Sequence, residues 1–310
     1  MKIVVIGTRG IPDIQGGVET HCQQLYPRIV ARGHDVTVIR RDSYVTADNR
    51  IAEYRGVKLK DMYAPRRKSF EAIIHTVLAV IRARRLKPDI VHIHAIGPAI
   101  VTPLARLLGL KVVMTNHGPD YDRQKWGRMA RTVLRTGERW GTRWANRVIV
   151  ISRVIAELLE RNYKFTEPIL IYNGVVMPDR NPGDENLAKW HLTPGNYILA
   201  MGRLVKEKGF TDLIETYTML PDKLRQRYKL VIAGDADHPD AYSESLKKLA
   251  AATPGVVMTG YINGLPLQQL LSNAAMFAMP SYHEVLPIAL LEAMSHRLDV
   301  AVSDIPACII

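Results

Sequence analysis

Short apolar runs alternate with longer helical stretches along this chain, and that alternation narrows the fold more than any other feature. Ile3–Ile6, Asp35–Arg40, Ile90–Ile93, Val112–Thr115 and Val148–Ile151 read as strands. Val18–Arg32, Lys68–Leu86 and Trp126–Asn146 read as helices, and Ser152 is placed to cap another. Strands joined through helices pair in parallel, with helices on both faces of the sheet. A second series runs through Tyr197–Met201, Leu230–Ala233, Val256–Met258, Met276–Met279 and Val300–Val302. Between the two series the rhythm breaks at Asn173-Gly174, Pro178, Asn181-Pro182-Gly183 and Pro194-Gly195, all turn and loop residues. The chain therefore reads as an α/β protein of two doubly wound parallel-sheet domains. The first covers 1–173, a linker with a short helix covers 174–195, and the second covers 196–310. In open sheets of this kind ligands collect at the carboxyl ends of the strands.

Length and composition agree, since 310 residues at 47% hydrophobic content suffice for two ordinary domains. No run approaches the roughly 18 consecutive apolar residues of a membrane span. The N-terminus, MKIVVIGTRG, is a strand leading into a glycine turn and lacks the apolar core and cleavage site of a secretory signal. A cytoplasmic location is expected. Cys22 and Cys308 have no metal-ligand spacing and no need to pair. The net charge of +12 is unevenly spread. Residues 1–155 carry 28 Lys and Arg against 12 Asp and Glu, a balance of +16, whereas residues 156–310 carry 14 against 18, a balance of −4. A basic front half attracts nucleic acid, anionic lipid or an anionic substrate, so the halves are expected to differ in partner.

The densest constellation is Pro280–Pro306, PSYHEVLPIALLEAMSHRLDVAVSDIP. It follows an apolar strand, turns through the polar loop Ser281–Glu284, and opens a helix at Leu286-Pro287, where a proline's missing N–H would be unpaired anyway. Ile288, Leu291 and Met294 lie at helical spacing and read as the core face. Glu292 lies among them, and a carboxylate in an apolar turn needs a donor. The helix start offers unpaired N–H groups that suit a phosphate. Amides for a diphosphate and the carboxylates of Glu284 and Glu292 for hydroxyls match a nucleotide sugar. With seven residues between the glutamates, then Ala293-Met294-Ser295 and Ser303-Asp304-Ile305-Pro306, the segment resembles the signature of family 4 retaining glycosyltransferases of the GT-B fold. The resemblance implies two Rossmann-like domains facing a cleft, a nucleotide-diphosphate sugar donor, retention of anomeric configuration, and no metal or other cofactor. It gives Glu284 the donor-sugar hydroxyls and Glu292 the ribose. Val285 stands where members often carry glycine, and Arg297 and Asp299 replace a glycine and a proline. Members also continue well past the counterpart of Ile310, so an incomplete second domain of doubtful activity is expected.

The first turn, Gly7-Thr8-Arg9-Gly10-Ile11-Pro12, leads to Gly16-Gly17-Val18-Glu19-Thr20 at a helix start. Alone, these glycines describe a tight loop, and their spacing is not the G-x-G-x-x-G of dinucleotide oxidoreductases. The two strings resemble bacterial capsule and exopolysaccharide glycosyltransferases, rhamnosyltransferases especially, in which this loop, here with Gly17, lies near the donor phosphate and the acceptor. Asn116-His117-Gly118 follows a strand. A lone histidine is more often structural, but its strand-end position and the family match set His117 apart, and the resemblance gives it a contact with the donor sugar. His92 and His94 sit in a buried-strand pattern and read as packing. Gly202–Phe210 would ordinarily be a solvated basic loop, but it resembles the family's G-R-L-x-x-x-K-G loop. That makes Arg203 and Lys208 diphosphate ligands, one able to bind bidentately and one a point charge, in place of a metal. The start of the helix at Leu286 joins them. Tyr261, beyond Val256–Met258, is a base-contact candidate by resemblance alone. Asp235-Ala236-Asp237 has the form of a metal-binding pair, but aspartate is common in such turns, and no metal is expected.

The helix from Trp126 carries Arg131, Arg135, Arg139, Arg143 and Arg147 four residues apart, with Glu138 alone placed to offset them. This is either a solvated, ion-paired face or a stripe against anionic headgroups, joined by Arg66, Arg67, Lys68, Arg82, Arg84 and Arg85. A polyprenyl-diphosphate-linked oligosaccharide acceptor would bring the chain to the inner face of the plasma membrane. The sequence thus points to transfer of a sugar, by resemblance rhamnose, in surface-polysaccharide synthesis. Two other classes stay open. One is a sugar-nucleotide binder without turnover. The other is a nucleic-acid binder, against which stand the missing binding module and the lack of surface aromatics among the arginines.

Overall fold

Apolar strands of four to seven residues, each followed by a polar turn and a helix, leave parallel pairing as the arrangement that buries both sheet faces. The computed structural model describes residues 1–65, 71–122, 127–179, 181–236 and 239–308. The chain forms two compact units, Met1–Asn173 and Gly174–Ile310.

The first unit runs β1 (Lys2–Ile6), α1 (Gly17–Ala31), β2 (Asp35–Arg41), β3 (Glu53–Tyr54), β4 (Val57–Met62), α2 (Glu71–Leu86), β5 (Ile90–His94), α3 (Thr102–Leu107), β6 (Val112–Asn116), α4 (Arg128–Trp144), β7 (Arg147–Val150), α5 (Arg153–Tyr163) and β8 (Ile169–Leu170). Its sheet has the order β3-β4-β2-β1-β5-β6-β7-β8. All pairs are parallel except β3 with β4, a short hairpin at the edge. Ile3 of β1 pairs with Val36 on one side and Ile90 on the other, so the chain order reverses at β1. Ile3 and Val5 pack on Cys22 and Tyr26 of α1. Ser152 caps α5 by accepting from the Ile155 N–H.

The second unit runs β9 (Tyr197–Met201), α6 (Phe210–Thr218), α7 (Asp222–Arg227), β10 (Lys229–Ala233), α8 (Ala241–Ala252), β11 (Val256–Gly260), α9 (Gly264–Ser272), β12 (Met276–Met279), α10 (Ile288–Ser295) and β13 (Val300–Val302). The sheet order is β11-β10-β9-β12-β13, parallel throughout. Successive residues of β9 point to opposite faces: Tyr197, Leu199 and Met201 join one core, and Ala200 joins the other with Leu230 and Ile232. Both faces are covered, which is why these strands read as continuous apolar runs.

Two sequence expectations shift. The stretch read as a linker is partly core, because Leu187 and Leu192 are buried in the second unit. Buried Gln269 of α9 holds it there, accepting from the Asn186 N–H at 3.0 Å and donating to the Pro182 carbonyl at 2.6 Å. Helix α10 begins at Ile288, with Pro287 as its N-cap, rather than at Leu286. Its core face is Ile288, Leu290 and Ala293, while Met294 is 46% exposed. Trp126 and residues 66–70 lie outside the described residues.

Candidate active site

In the second unit the chain order reverses between β9 and β12, and the loops after these two strands form one structure. The Tyr282 N–H donates to the Glu207 carbonyl at 2.9 Å. Gly209 has φ 66°, and a Cβ on it would lie 2.2 Å from the Pro280 carbonyl oxygen, so only glycine permits this approach. The loops bring Lys208 Nζ to 2.5 Å from Glu284 Oε1, with the side chains only 18% and 12% exposed. The Lys208 stem passes over Gly202, beside half-buried Arg203. Leu286 closes the loop, and no side chain caps α10, which leaves first-turn N–H groups open at its start. Glu292 lies on the second turn of α10, and its carboxyl group makes no hydrogen bond or ion pair with the described residues. Burial raises its carboxyl to about 7. Tyr261 follows β11 and is 42% exposed. Asp235 pairs with Lys247 Nζ at 2.8 Å, and Asp237 lies outside the described residues. Of the six candidates in this unit, the structure therefore joins Lys208 to Glu284 directly and sets Arg203 and Leu286 in the same two loops.

In the first unit, buried Glu19 of α1 reaches back to the loop after β1. It accepts from the Thr8 hydroxyl at 3.1 Å and the Arg9 N–H at 3.0 Å. Gly17 opens α1, exposed and without a side-chain cap before it. The turn after β6 is held from both sides. Asn116 Oδ1 accepts from the Gly118 N–H at 2.8 Å, and Asn116 Nδ2 donates to Glu138 Oε1 at 3.0 Å. Tyr121 and Tyr163 donate to Glu138 Oε2 at 3.0 and 2.9 Å. Glu138 is thus buried, at 0% exposure, and anchors this turn. Between these features lies His117, whose Nε2 is 2.9 Å from His94 Nδ1. His21, one turn into α1, meets the His117 ring edge-on at 5.3 Å. His92 and His94, read as packing, belong to the same cluster. They lie two apart on β5 and so on one sheet face, a pattern the sequence does carry.

On α4, Arg131, Arg135, Arg139, Arg143 and the following Arg147 are all exposed. So are Trp140 and Trp144, at 41% and 53%. Aromatics do interleave with the basic stripe, which removes one argument made against a nucleic-acid partner. Arg84 and Arg85 are exposed on α2; Arg66, Arg67 and Lys68 lie outside the described residues.

Residues 15–177 match the family described as Glycosyltransferase Family 4, and residues 184–308 match Glycosyl transferases group 1. The chain belongs to glycosyltransferase family 4. An uncharacterized glycosyltransferase of Methanocaldococcus jannaschii is 27% identical to it over 98% of this chain and 81% of that relative. A GDP-mannose:cellobiosyl-diphosphopolyprenol alpha-mannosyltransferase of Xanthomonas campestris is 30% identical over 76% of this chain and 60% of the relative. Among solved structures, Anabaena HepE in complex with UDP-glucose superposes with a TM-score of 0.77 at 17% identity, covering 100% of this chain and 82% of that one. The two Rossmann-like units of this glycosyltransferase are those of the GT-B fold. Among the described residues no helix is long and apolar enough to cross a membrane.

The state of Glu292 gives the glycosyltransferase a measurable pH dependence. Its folded pKa of about 7 lies above the 4.5 of an ordinary glutamate, so the folded protein holds this proton more tightly than the unfolded chain does. That contribution is complete below about pH 4.5 and is lost as pH rises through 7. Its ceiling is about 3 kcal/mol, at 1.36 kcal/mol for each pH unit of difference, and partial access to water lowers it. Glu292→Gln is expected to be more stable than the parent at pH 8.5 and close to it at pH 5, by urea denaturation. Parallel pH profiles for the two proteins would refute this.

Proposed function

We propose that this glycosyltransferase moves a sugar from a nucleotide-diphosphate donor to a lipid-linked oligosaccharide in surface-polysaccharide synthesis. The observation that carries the reading is the Lys208–Glu284 pair at the switch point of the second sheet, beside Arg203 and the uncapped start of α10. Breaking the bond between sugar and diphosphate leaves negative charge on the leaving oxygen. Lys208, Arg203 and the helix amides supply opposing charge there, worth roughly 3–4 kcal/mol for a well-placed donor. Glu284 orients the sugar hydroxyls. Glu292 accepts from the nucleotide ribose, and a hydroxyl donating to it favours its charged form, so binding near pH 6.5 releases a proton. His117 contacts the donor sugar. Two cations and a helix terminus serve in place of a metal ion.

The polyprenyl-type acceptor is supported by the Xanthomonas relative, whose name includes a diphosphopolyprenol. The nucleotide sugar is supported by the UDP-glucose in the Anabaena structure. Rhamnose rests on the GTRGIP loop. The test is a thermal-shift panel of UDP, GDP and dTDP sugars, with magnesium and with EDTA, followed by transfer assays on lipid-linked saccharides. One nucleotide series is expected to stabilise the protein equally in EDTA. Stabilisation without transfer or hydrolysis selects the sugar-nucleotide binder, and no shift with any donor overturns both readings.

The exposed arginines and tryptophans of α4 fit a surface of anionic headgroups, at about 1 kcal/mol per arginine, on the inner face of the plasma membrane. Full-length protein is expected to bind phosphatidylglycerol vesicles in low salt and to release them in high salt. Replacing Arg131, Arg135, Arg139 and Arg143 together by glutamine should weaken binding about a thousandfold, near 4 kcal/mol in all. Salt-sensitive binding to duplex DNA, with vesicles ignored, would instead favour the nucleic-acid reading.

A further inference from the structure

Three histidines of the first unit, with Thr115 and Tyr26, form an unbroken hydrogen-bonded chain. Thr115 Oγ1 lies 2.7 Å from His92 Nε2, His92 Nδ1 lies 3.0 Å from the Tyr26 hydroxyl, that hydroxyl lies 2.5 Å from His94 Nε2, and His94 Nδ1 lies 2.9 Å from His117 Nε2. The three rings are neutral near pH 7. Burial holds His92 at about 3 and keeps His94 and His117 well below the usual histidine range, and neighbouring histidines, His21 among them, push the same way.

A neutral imidazole has one N–H donor and one bare acceptor nitrogen. Tyr26 has one proton for two histidine neighbours. Tyr26 is 0% exposed, and if its oxygen accepted from both rings its own O–H would be stranded, so two proton orders keep that proton within the chain. In the forward order Thr115 donates to His92, His92 to Tyr26, Tyr26 to His94 and His94 to His117, whose own proton then sits on Nδ1. In the reverse order His117 donates from Nε2 and every link turns round, so that Thr115 accepts from His92.

The ends decide between them. Thr115 is 2% exposed, and among the described residues its hydroxyl meets only His92. Reversal would leave that buried O–H without an acceptor, at the full cost of its desolvation. At the other end His117 is half-buried, and its Nδ1 has no partner among the described residues. An N–H placed there meets water or ligand. The forward order strands no proton in the interior.

We propose that Thr115, His92, Tyr26 and His94 are positioning residues that lock His117 with its proton on Nδ1, so that it meets a substrate oxygen as a hydrogen-bond donor and not as a base. The oxygen, a sugar hydroxyl or ring oxygen, rests on the glycosyl-transfer reading above; the proton order does not. The test is long-range proton–nitrogen correlation spectroscopy on the full chain with nitrogen-15 histidine, without any donor present. His117 is expected to favour the Nδ1–H tautomer by about tenfold or more. Thr115→Ser, which keeps the hydroxyl, should preserve that ratio, and Thr115→Val should bring it towards one. Tyr26→Phe, which cuts the chain at its middle and is nearly the same shape, should also release His117 while His92 stays ordered by Thr115. It carries the test if Thr115→Val does not fold. An Nε2–H tautomer of His117 in the parent, or a ratio unchanged in Tyr26→Phe, overturns the proposal, and neither result bears on whether the protein transfers sugar.

Discussion

Removing Lys208 and removing the charge of Glu284 are expected to move nucleotide affinity in opposite directions. The two side chains neutralise one another at 2.5 Å, largely away from water. Lys208→Ala takes away a cation from the leaving diphosphate and leaves an uncompensated carboxylate beside it. Nucleoside-diphosphate binding should weaken, and kcat/KM should fall about a thousandfold, the loss seen when one well-placed charge-stabilising donor is removed. Glu284→Gln frees Lys208 from its partner. The nucleoside diphosphate should then bind several-fold more tightly, while turnover falls because the sugar hydroxyls lose their acceptor. Calorimetry with the diphosphate alone separates these effects from catalysis. The double variant should recover the folding stability lost in Lys208→Ala, since no half-buried charge is left unpaired, yet it should recover no activity. Equal weakening of diphosphate binding by both single changes would mean that the pair is a structural brace.

Most strands of the two units were legible because they are apolar runs closed by glycine, proline or a polar turn, and the parallel pairing followed from the helices between them. Three strands of the first unit were not: β3 and β8 have two residues each, too short to leave a periodic trace, and β4, Val-Lys-Leu-Lys-Asp-Met, carries charges at Lys58, Lys60 and Asp61 and so is no apolar run. Helix α10 was found but turned, because its phase depends on how it packs on β12 and β13, and Ile288, Leu291 and Met294 fit the helical period as well as the residues that are buried. Buried polar partners were the main loss. Within a helix sequence spacing pairs Glu138 with neighbouring arginines, but donors from β6, from Tyr121 and from Tyr163 of α5 reach it in the structure. His92 and His94 showed the strand alternation of core residues, and that part of the reading holds for His94 at 0% exposure. What no pattern within β5 carries is Tyr26 on α1, whose hydroxyl turns two packed rings into a hydrogen-bonded chain.

The largest loss of folding stability is expected at Arg40, a residue with no part in the candidate site. It lies on β2 at 1% exposure. Four of its five N–H donors make hydrogen bonds, and Nη2 also pairs with the Asp61 carboxylate. Nε and Nη2 meet Asp61 Oδ1 at 2.7 Å, Nη1 donates to the carbonyls of Ile11 and Asn49 at 3.2 and 2.8 Å, and Nη2 donates to that of Ile51 at 3.2 Å. The guanidinium thus ties the loop after β1 to the segment that enters β3. Arg40→Met should cost about 3–5 kcal/mol, the usual effect of removing one partner from a buried ion pair, read as a lower urea midpoint at unchanged slope. Arg40→Lys should fall between, because an ammonium has three donors and no planar fork. Asp61→Asn should cost about 1 kcal/mol, since Asp61 is 33% exposed and asparagine keeps an acceptor oxygen. Buried ion pairs can often be exchanged for apolar residues without loss. Here three of the acceptors are backbone carbonyls, which no substitution removes, so Arg40→Met with Asp61→Leu should stay close to the single Arg40 variant. Full recovery in that double variant would show that the charge pair, and not the carbonyls, sets the cost.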